Sequence, residues 1–202
     1  MDRTVTVAAI QFNITLGEID RNLAKAEAAL RRVAAQGAQL AVLPEMWSAG
    51  FAYKKLAELA AQTPRVLERI AALSAELNLT VVGSLPELAA AGRVCNTSYV
   101  TDRGRLAGSY RKLHLFSLMN EHEHIAGGKE SAVVDTSVGK LGLAICYDLR
   151  FPELFRKLAL DGAEIICHPG EWPVPRQLHW RTLLRARAIE NQCFVIAANC
   201  CG

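Results

Sequence analysis

The sequence has no C-x-x-C pair, no basic stripe, no internal repeat and no low-complexity tract. Each absence removes a class of function. Six cysteines, at 95, 146, 167, 193, 200 and 201, lie in or beside apolar runs without regular spacing. This argues for reduced thiols in a cytoplasmic protein, against a disulfide scaffold and against a thiol-exchange role, which needs paired cysteines. The formal net charge of +3 is scattered, as at Arg31-Arg32 and Lys54-Lys55, and leaves no nucleic-acid footprint. No stretch approaches the ~18 consecutive apolar residues of a membrane span. Met1-Asp2-Arg3 opens without the apolar core and cleavage site of a signal peptide.

What is present is apolar mass: 51% of the 202 residues are hydrophobic, enough for one sizeable core, and no linker divides residues 1–202 into more than one domain. Thr4 to Gln11 is short and β-branched, a strand. Asp20 is placed to cap a helix carrying Leu23, Ala26, Leu30 and Val33 at helical spacing, with Gly37 as its stop. Leu40 to Leu43 is a second strand. Thr63-Pro64 reads as N-cap and first residue of a helix with Val66, Ile70, Leu73 and Leu77 inward, closed by Asn78. Strands follow at Thr80 to Leu85, Val94 to Thr101 and Leu106 to Arg111, the last two joined by the turn Asp102-Arg103-Gly104. Ala132 to Thr136, a helix from Pro152 to Asp161, a strand from Glu164 to Cys167, a helix from about Arg176 to Asn191 and a strand from Cys193 to Ala198 complete an alternation that implies a layered α/β fold.

Within this order, K-L-G-L-A-I-C-Y-D-L-R-F-P-E from Lys140 to Glu153 runs from an apolar strand into Cys146 and then to Pro152, suited to a first helical turn. The thiol therefore stands at a strand end, where α/β folds open their ligand crevices. Glu45 occupies the same kind of position after Leu40 to Leu43, and the residues after it, Met46 to Phe51, are too apolar for an ordinary surface loop. Lys112 stands at a third strand end. A cysteine with an ordinary pKa near ~8.5 needs a base or a positive neighbour to act as a nucleophile. Glu45 could accept its proton, and Lys112 could hold a developing oxyanion. A Cys/His pair using His114 or His168 stands about equal on residue types alone. His122 and His124, beside Glu121 and Glu123, have i, i+2 spacing that points side chains apart on a helix, so solvated loop residues account for them better than a metal site.

Three blocks in order, L-P-E-M-W at 43–47, Y-R-K-L-H-L-F at 110–116 and C-Y-D-L-R-F-P-E at 146–153, resemble the signature blocks of the nitrilase superfamily of carbon–nitrogen hydrolases. The run H-W-R-T-L-L-R-A-R-A-I-E-N-Q from His179 to Gln192 is similar too. The resemblance spans nearly the whole chain. It implies a four-layer α-β-β-α sandwich and a triad of Glu45 as general base, Lys112 as oxyanion-stabilising cation and Cys146 as the nucleophile that forms a thioester. Neither metal nor cofactor is implied. Glu121 matches the additional glutamate beside the lysine, with Glu123 a weaker match, and the backbone N–H of Tyr147 would be an oxyanion donor.

E-H-E-H before A-G-G, together with E-W-P-V-P-R, is most similar to the ω-amidase branch, whose substrates are small ω-amides of 2-oxo dicarboxylic acids such as 2-oxoglutaramate. Arg150, Arg176 and the loop Gly170 to Trp172, with Glu171 and Trp172 in it, are placed to meet such a substrate, as is Phe51. Alternatives are nitrile hydrolysis, carbamoyl hydrolysis, cleavage of deaminated glutathione, and a catalytically silent scaffold. The resemblance further implies a homodimer packed through the helix at 176–191. Asn199-Cys200-Cys201-Gly202 replaces the arginine-containing end of the family's N-x-x-G motif. Chains of this family normally continue beyond that motif, which predicts missing C-terminal strands and exposed apolar sheet edges here.

Overall fold

The computed structural model describes residues 4–201, so Met1 to Arg3 and Gly202 of the terminal motif lie outside the described residues. Among the described residues, nine strands form two sheets. The first contains β1 (Val7–Ala9), β2 (Leu40–Val42), β3 (Thr80–Leu88), β4 (Val94–Asp102) and β5 (Arg105–Arg111), side by side in chain order. The β1, β2 and β3 strands are parallel, and β4 and β5 continue antiparallel. The second contains β6 (Val133–Thr136), β7 (Gly139–Leu143), β8 (Ile165–Gly170) and β9 (Phe194–Asn199), with β6 antiparallel to β7 and the last three parallel.

The sheets pack face to face, with β2 and β3 against β8 and β5 against β6. Outside the first sheet lie α1 (Ile19–Ala35), α2 (Leu56–Ala60) and α3 (Thr63–Glu76); after the short α4 (Glu121–His124), α5 (Pro152–Leu160) and α6 (Gln177–Asn191) cover the second. The result is an α-β-β-α sandwich. Its logic is visible in β2, where Leu40 and Val42 enter the core between the sheets while Ala41 and Leu43 pack against α1 and α3. Successive strand residues point to opposite faces, and here both faces are buried, so the strand reads as an unbroken apolar run. Fully buried side chains such as Leu30, Leu40 and Phe155 each contribute about 1.5–3 kcal/mol relative to exposure.

Several local expectations need correction. The first strand is three residues long, not the eight from Thr4 to Gln11, because the β2 ladder that it pairs with is equally short. Asp20 lies inside the first turn of α1, whose N-cap is Glu18, and its carboxylate meets Arg65 at 2.7 Å. Thr63 is helical rather than capping, since its hydroxyl donates to the Pro86 carbonyl at 2.5 Å instead of to its own helix. The β4–β5 hairpin turns on two residues with positive φ, Arg103 at 48° and Gly104 at 94°, the geometry that matches strand twist.

The outer strands β1 and β9 leave Val7 43% and Phe194 76% exposed, beside an open groove of about 600 Å³ that Val5, Ile165 and Val195 also line.

Candidate active site

Glu45, Lys112 and Cys146, 101 positions apart from first to last, converge where the two sheets meet at their strand ends. Beyond β2, the Glu45 N–H donates to the Gly170 carbonyl of β8 at 3.3 Å, which ties the first sheet to the second. The residues after Glu45 then turn inward. Met46 has a φ of 47°, its N–H donates to Ser84 Oγ at 2.8 Å, and Trp47 N–H donates to the Ser84 carbonyl at 3.2 Å. Trp47 lies so close to β3 that a Cβ at Gly83 would come within 2.9 Å of its ring, so only glycine fits there. Met46 to Gly50 are buried, as the composition of that loop implied.

Lys112 follows β5 and is buried. Its Nζ donates to Glu45 Oε1 at 2.8 Å and to both oxygens of Glu121, at 2.8 and 2.9 Å. Burial alone would pull the ammonium down, but the carboxylates of Glu45 and Glu121 outweigh it and hold its pKa above the ordinary lysine value. One cation between two carboxylates leaves surplus negative charge in a dry site, and Glu121 is pushed up, by burial first and with Glu45 adding to it. Glu121 opens α4 and is fixed by the Phe116 N–H, which donates to its Oε2 at 2.6 Å, whereas Glu123 is exposed and faces away from this cluster. His124 is exposed, as the sequence placed it, and its ring stacks on Tyr53 with centroids 4.2 Å apart.

Cys146 has a φ of 44° and begins a 3-10 turn, Cys146–Arg150, directly after the buried Ala144-Ile145. A non-glycine residue held in the left-handed region is strained, and such strain collects at functional sites. The Glu45 carboxyl and the Glu171 N–H both act on the thiol, and they are themselves bonded to each other at 2.9 Å. Burial first, then the Glu45 carboxylate, raise the thiol well above its ordinary pKa despite Lys112, so the resting group is protonated. Tyr147 is the second residue of the 3-10 turn, where the first N–H groups have no partner within the turn.

Two adjoining compartments, of about 60 and 40 Å³, share Phe116, Met119, Cys146 and Glu171. The first holds Glu45, Lys112 and Glu121 with Phe51 and Tyr53; the second holds Tyr147, Arg150, Trp172 and Arg176. Glu45, Lys112, Glu121 and Cys146 thus share one cleft with Phe51, Tyr147, Arg150, Glu171, Trp172 and Arg176, whereas Glu123, His114 and His168 lie outside it. Arg150 lies over the Trp172 ring at 5.2 Å and contacts His179 at 3.0 Å, and Arg176 lies over Phe116 at 5.3 Å. Among the described residues neither guanidinium has a carboxylate partner. A larger groove of about 420 Å³, along Trp180 and α6, contains none of the three converging groups.

Two supporting residues had no signal in the sequence. Asn96 donates to Glu45 Oε1 at 2.8 Å while its carbonyl accepts from the Lys112 N–H at 2.9 Å. Buried Asp148 accepts from the Tyr110 hydroxyl at 2.7 Å, the His114 N–H at 3.0 Å and the Ile145 N–H at 2.8 Å, with His114 Nδ1 at 2.7 Å. It thereby locks the cysteine turn to the lysine segment. His114 is occupied by that carboxylate and by stacking on Phe151 at 3.6 Å, and His168 is sealed in the core beside Phe155 and Trp180; Glu45, not either imidazole, shares the compartment of the thiol.

The carbon-nitrogen hydrolase family matches residues 6–202. The chain is 39% identical to a 2-oxoglutaramate amidase of Bacillus subtilis, over 98% of this chain and 76% of that protein. It is 33% identical to the chloroplastic ω-amidase of Arabidopsis thaliana, over 92% of this chain and 56% of that one. Its fold is similar to that of Saccharomyces cerevisiae Nit3, of the nitrilase superfamily, with a TM-score of 0.88 and 28% identity over 96% of this chain and 75% of that one. It is also similar to an amidase from Nesterenkonia sp. AN1, solved with acrylamide added at its active site cysteine, with a TM-score of 0.90 and 26% identity over 98% and 80%. Matched along almost its whole length and in its architecture, this chain belongs to the carbon-nitrogen hydrolase family of the nitrilase superfamily.

Proposed function

We propose that this cysteine-dependent carbon–nitrogen hydrolase is an ω-amidase, which cleaves the terminal amide of a small 2-oxo dicarboxylic acid such as 2-oxoglutaramate. The observation that carries the reading is the closure of thiol, ammonium and carboxylate around one compartment, with two acid-free guanidiniums in the next. The relatives named as 2-oxoglutaramate amidase and ω-amidase support the choice of substrate.

The chemistry follows from the protonation states. Because the resting thiol is protonated, attack requires a base in the same step: Glu45 takes the Cys146 proton as Sγ bonds to the amide carbon. The oxygen becomes negative against Lys112 Nζ and the Tyr147 N–H, donors already oriented in a site that excludes water. Glu45 returns the proton to nitrogen, the C–N bond breaks and ammonia leaves a thioester. Water then enters, gives a proton to Glu45 and attacks the same carbon; the C–S bond breaks, and the proton returns to Cys146. Glu121 keeps Lys112 aimed throughout.

The compartments hold only a few water-sized groups, which favours a four- or five-carbon amide over a peptide-sized one such as deaminated glutathione. Arg150 and Arg176 suit the far carboxylate by paired N–H donors. The apolar face of α6, with Leu178 75% and Ile189 76% exposed, supports self-association through that helix, and six free cysteines support a reducing, cytoplasmic setting.

Ammonia release from 2-oxoglutaramate tests the reading, with Cys146→Ala and Lys112→Ala alongside. Both variants are expected to lose release to background. Release that persists in folded Cys146→Ala would overturn the mechanism, and no release by the folded wild type would overturn the substrate.

A further inference from the structure

Among the described residues, Glu171 is the one carboxylate of the cleft with no cation bonded to it. It lines both compartments, between Cys146 on one side and Arg150 and Arg176 on the other. Its backbone is fixed, since its N–H donates to Glu45 Oε2 at 2.9 Å, so the side chain has little freedom to leave. Its Oε2 is sealed from solvent and has no hydrogen-bond partner. A carboxyl oxygen buried without a partner costs about 1–3 kcal/mol, and a substrate is the natural group to supply one.

We propose that Glu171 is a specificity-determining residue: its neutral carboxyl donates a hydrogen bond to an oxygen of a carboxylate-bearing amide, and its ionised form repels that substrate. The inference rests on the proposed ω-amide reading, and adds a pH-dependent filter to it.

The surroundings support a group that changes charge near neutrality. Burial pushes the Glu171 carboxyl up to about 7, the Glu45 carboxylate adds to the rise and Lys112 opposes it. The other charged and titratable groups around the cleft come from every neighbouring element: Cys146 and Arg150 from the turn after β7, Glu121 from α4 and Arg176 from the segment before α6. Tyr53, before α2, and Cys200, past β9, also feel the Glu171 charge, and burial holds both of them neutral at pH 6–8. Below about pH 7 the arginines therefore offer a carboxylate an attractive site with a neutral donor beside it. Above that, the same substrate meets a fixed anion.

The test is the KM ratio of two amides matched in size, succinamate with its carboxylate and butyramide without, measured from pH 6 to 8. If only neutral Glu171 accepts the anion, KM for succinamate rises roughly tenfold over that span while KM for butyramide stays within about twofold. Any pH effect on the bond-breaking steps acts on both amides and cancels in the ratio. Glu171→Gln, neutral at every pH and still a donor, is expected to flatten the ratio at its low-pH value. Glu171→Ala also flattens it, at a higher KM, and serves if the glutamine variant does not fold. A ratio that is flat in the wild type, or that keeps its slope in Glu171→Gln, would overturn the role of Glu171 alone. Hydrolysis of butyramide with none of succinamate or 2-oxoglutaramate would overturn the ω-amide reading and this filter with it.

Discussion

Replacing Lys112 by methionine keeps the volume and removes the charge, leaving Glu45 and Glu121 facing each other in a dry site. The structure sets the size of the effect. Two buried carboxylates with no cation cannot both stay ionised, so at least one must take up a proton in the folded state. An unfolded glutamate titrates near ~4.3, so holding that proton at pH 7.5 costs ~4 kcal/mol and at pH 5.5 only ~2 kcal/mol. The first figure falls within the ~3–5 kcal/mol typical of a broken buried ion pair. The sign is fixed by the same argument. In the variant a carboxyl has a folded pKa above its unfolded value, so its contribution is complete below about pH 4.3 and is lost as pH rises. Urea unfolding at the two pH values is the assay. With a slope of roughly 2 kcal/mol per molar, the midpoint should fall by ~2 M at pH 7.5 and by ~1 M at pH 5.5 relative to wild type. Neutralising the carboxylates as well, in Lys112→Met/Glu45→Gln/Glu121→Gln, should restore most of the loss. A loss below ~1 kcal/mol, or one equal at both pH values, would refute the claim that these three charges form one buried cluster.

His168 and Glu171 should give opposite pH slopes of stability. Burial lowers His168 to about 4, so its contribution is present above pH 6.5 and is lost on acidification toward 4; Glu171, raised to about 7, contributes below pH 4.5 and loses this by pH 7. Each span is worth up to ~3 kcal/mol, so between pH 4.5 and 6.5 the two offset one another, and urea titrations of His168→Leu and Glu171→Gln should each expose the slope of the remaining group. Gly170→Ala would bring a Cβ within 2.6 Å of Trp180, and this overpacking should cost about 1–3 kcal/mol, read as a melting temperature lower by roughly 3–9 °C. Arg187→Met removes the guanidinium that donates to the Leu149 carbonyl at 2.8 and 3.2 Å, leaving that buried carbonyl of the cysteine turn unpaired; a loss of about 1–3 kcal/mol with a fall in kcat is expected from unfolding and steady-state assays.

The layers were legible because burial on both faces of the inner strands leaves a plain mark: Leu40 to Leu43 could hardly be anything but a buried strand. Strand ends were legible for the same reason, and with them the addresses of Glu45, Lys112 and Cys146. What the residues alone did not show was which candidate base shares the compartment of the thiol, because the bond between Lys112 and Glu45 spans 67 positions and no local pattern encodes it. The ordered signature blocks supplied that pairing. Asn96 stayed hidden inside a regular strand, and Asp148 inside a block whose other residues drew attention, since both act through contacts between distant segments. The cap errors at Asp20 and Thr63 have the same origin: each side chain was claimed by a distant partner, Arg65 and Pro86, in preference to its own helix.

Neither half of this molecule holds a working set of groups. Glu45 and Lys112 ride on one half, Cys146 and Glu171 on the other, and a handful of hydrogen bonds hold them together near the chemistry: Glu45 N–H to Gly170, Glu171 N–H to Glu45, and those that Asp148 accepts from Tyr110 and His114. Warming that lets the halves slide by an ångström would idle the catalyst while every strand and helix survives. Activity should therefore vanish some degrees before the circular dichroism changes.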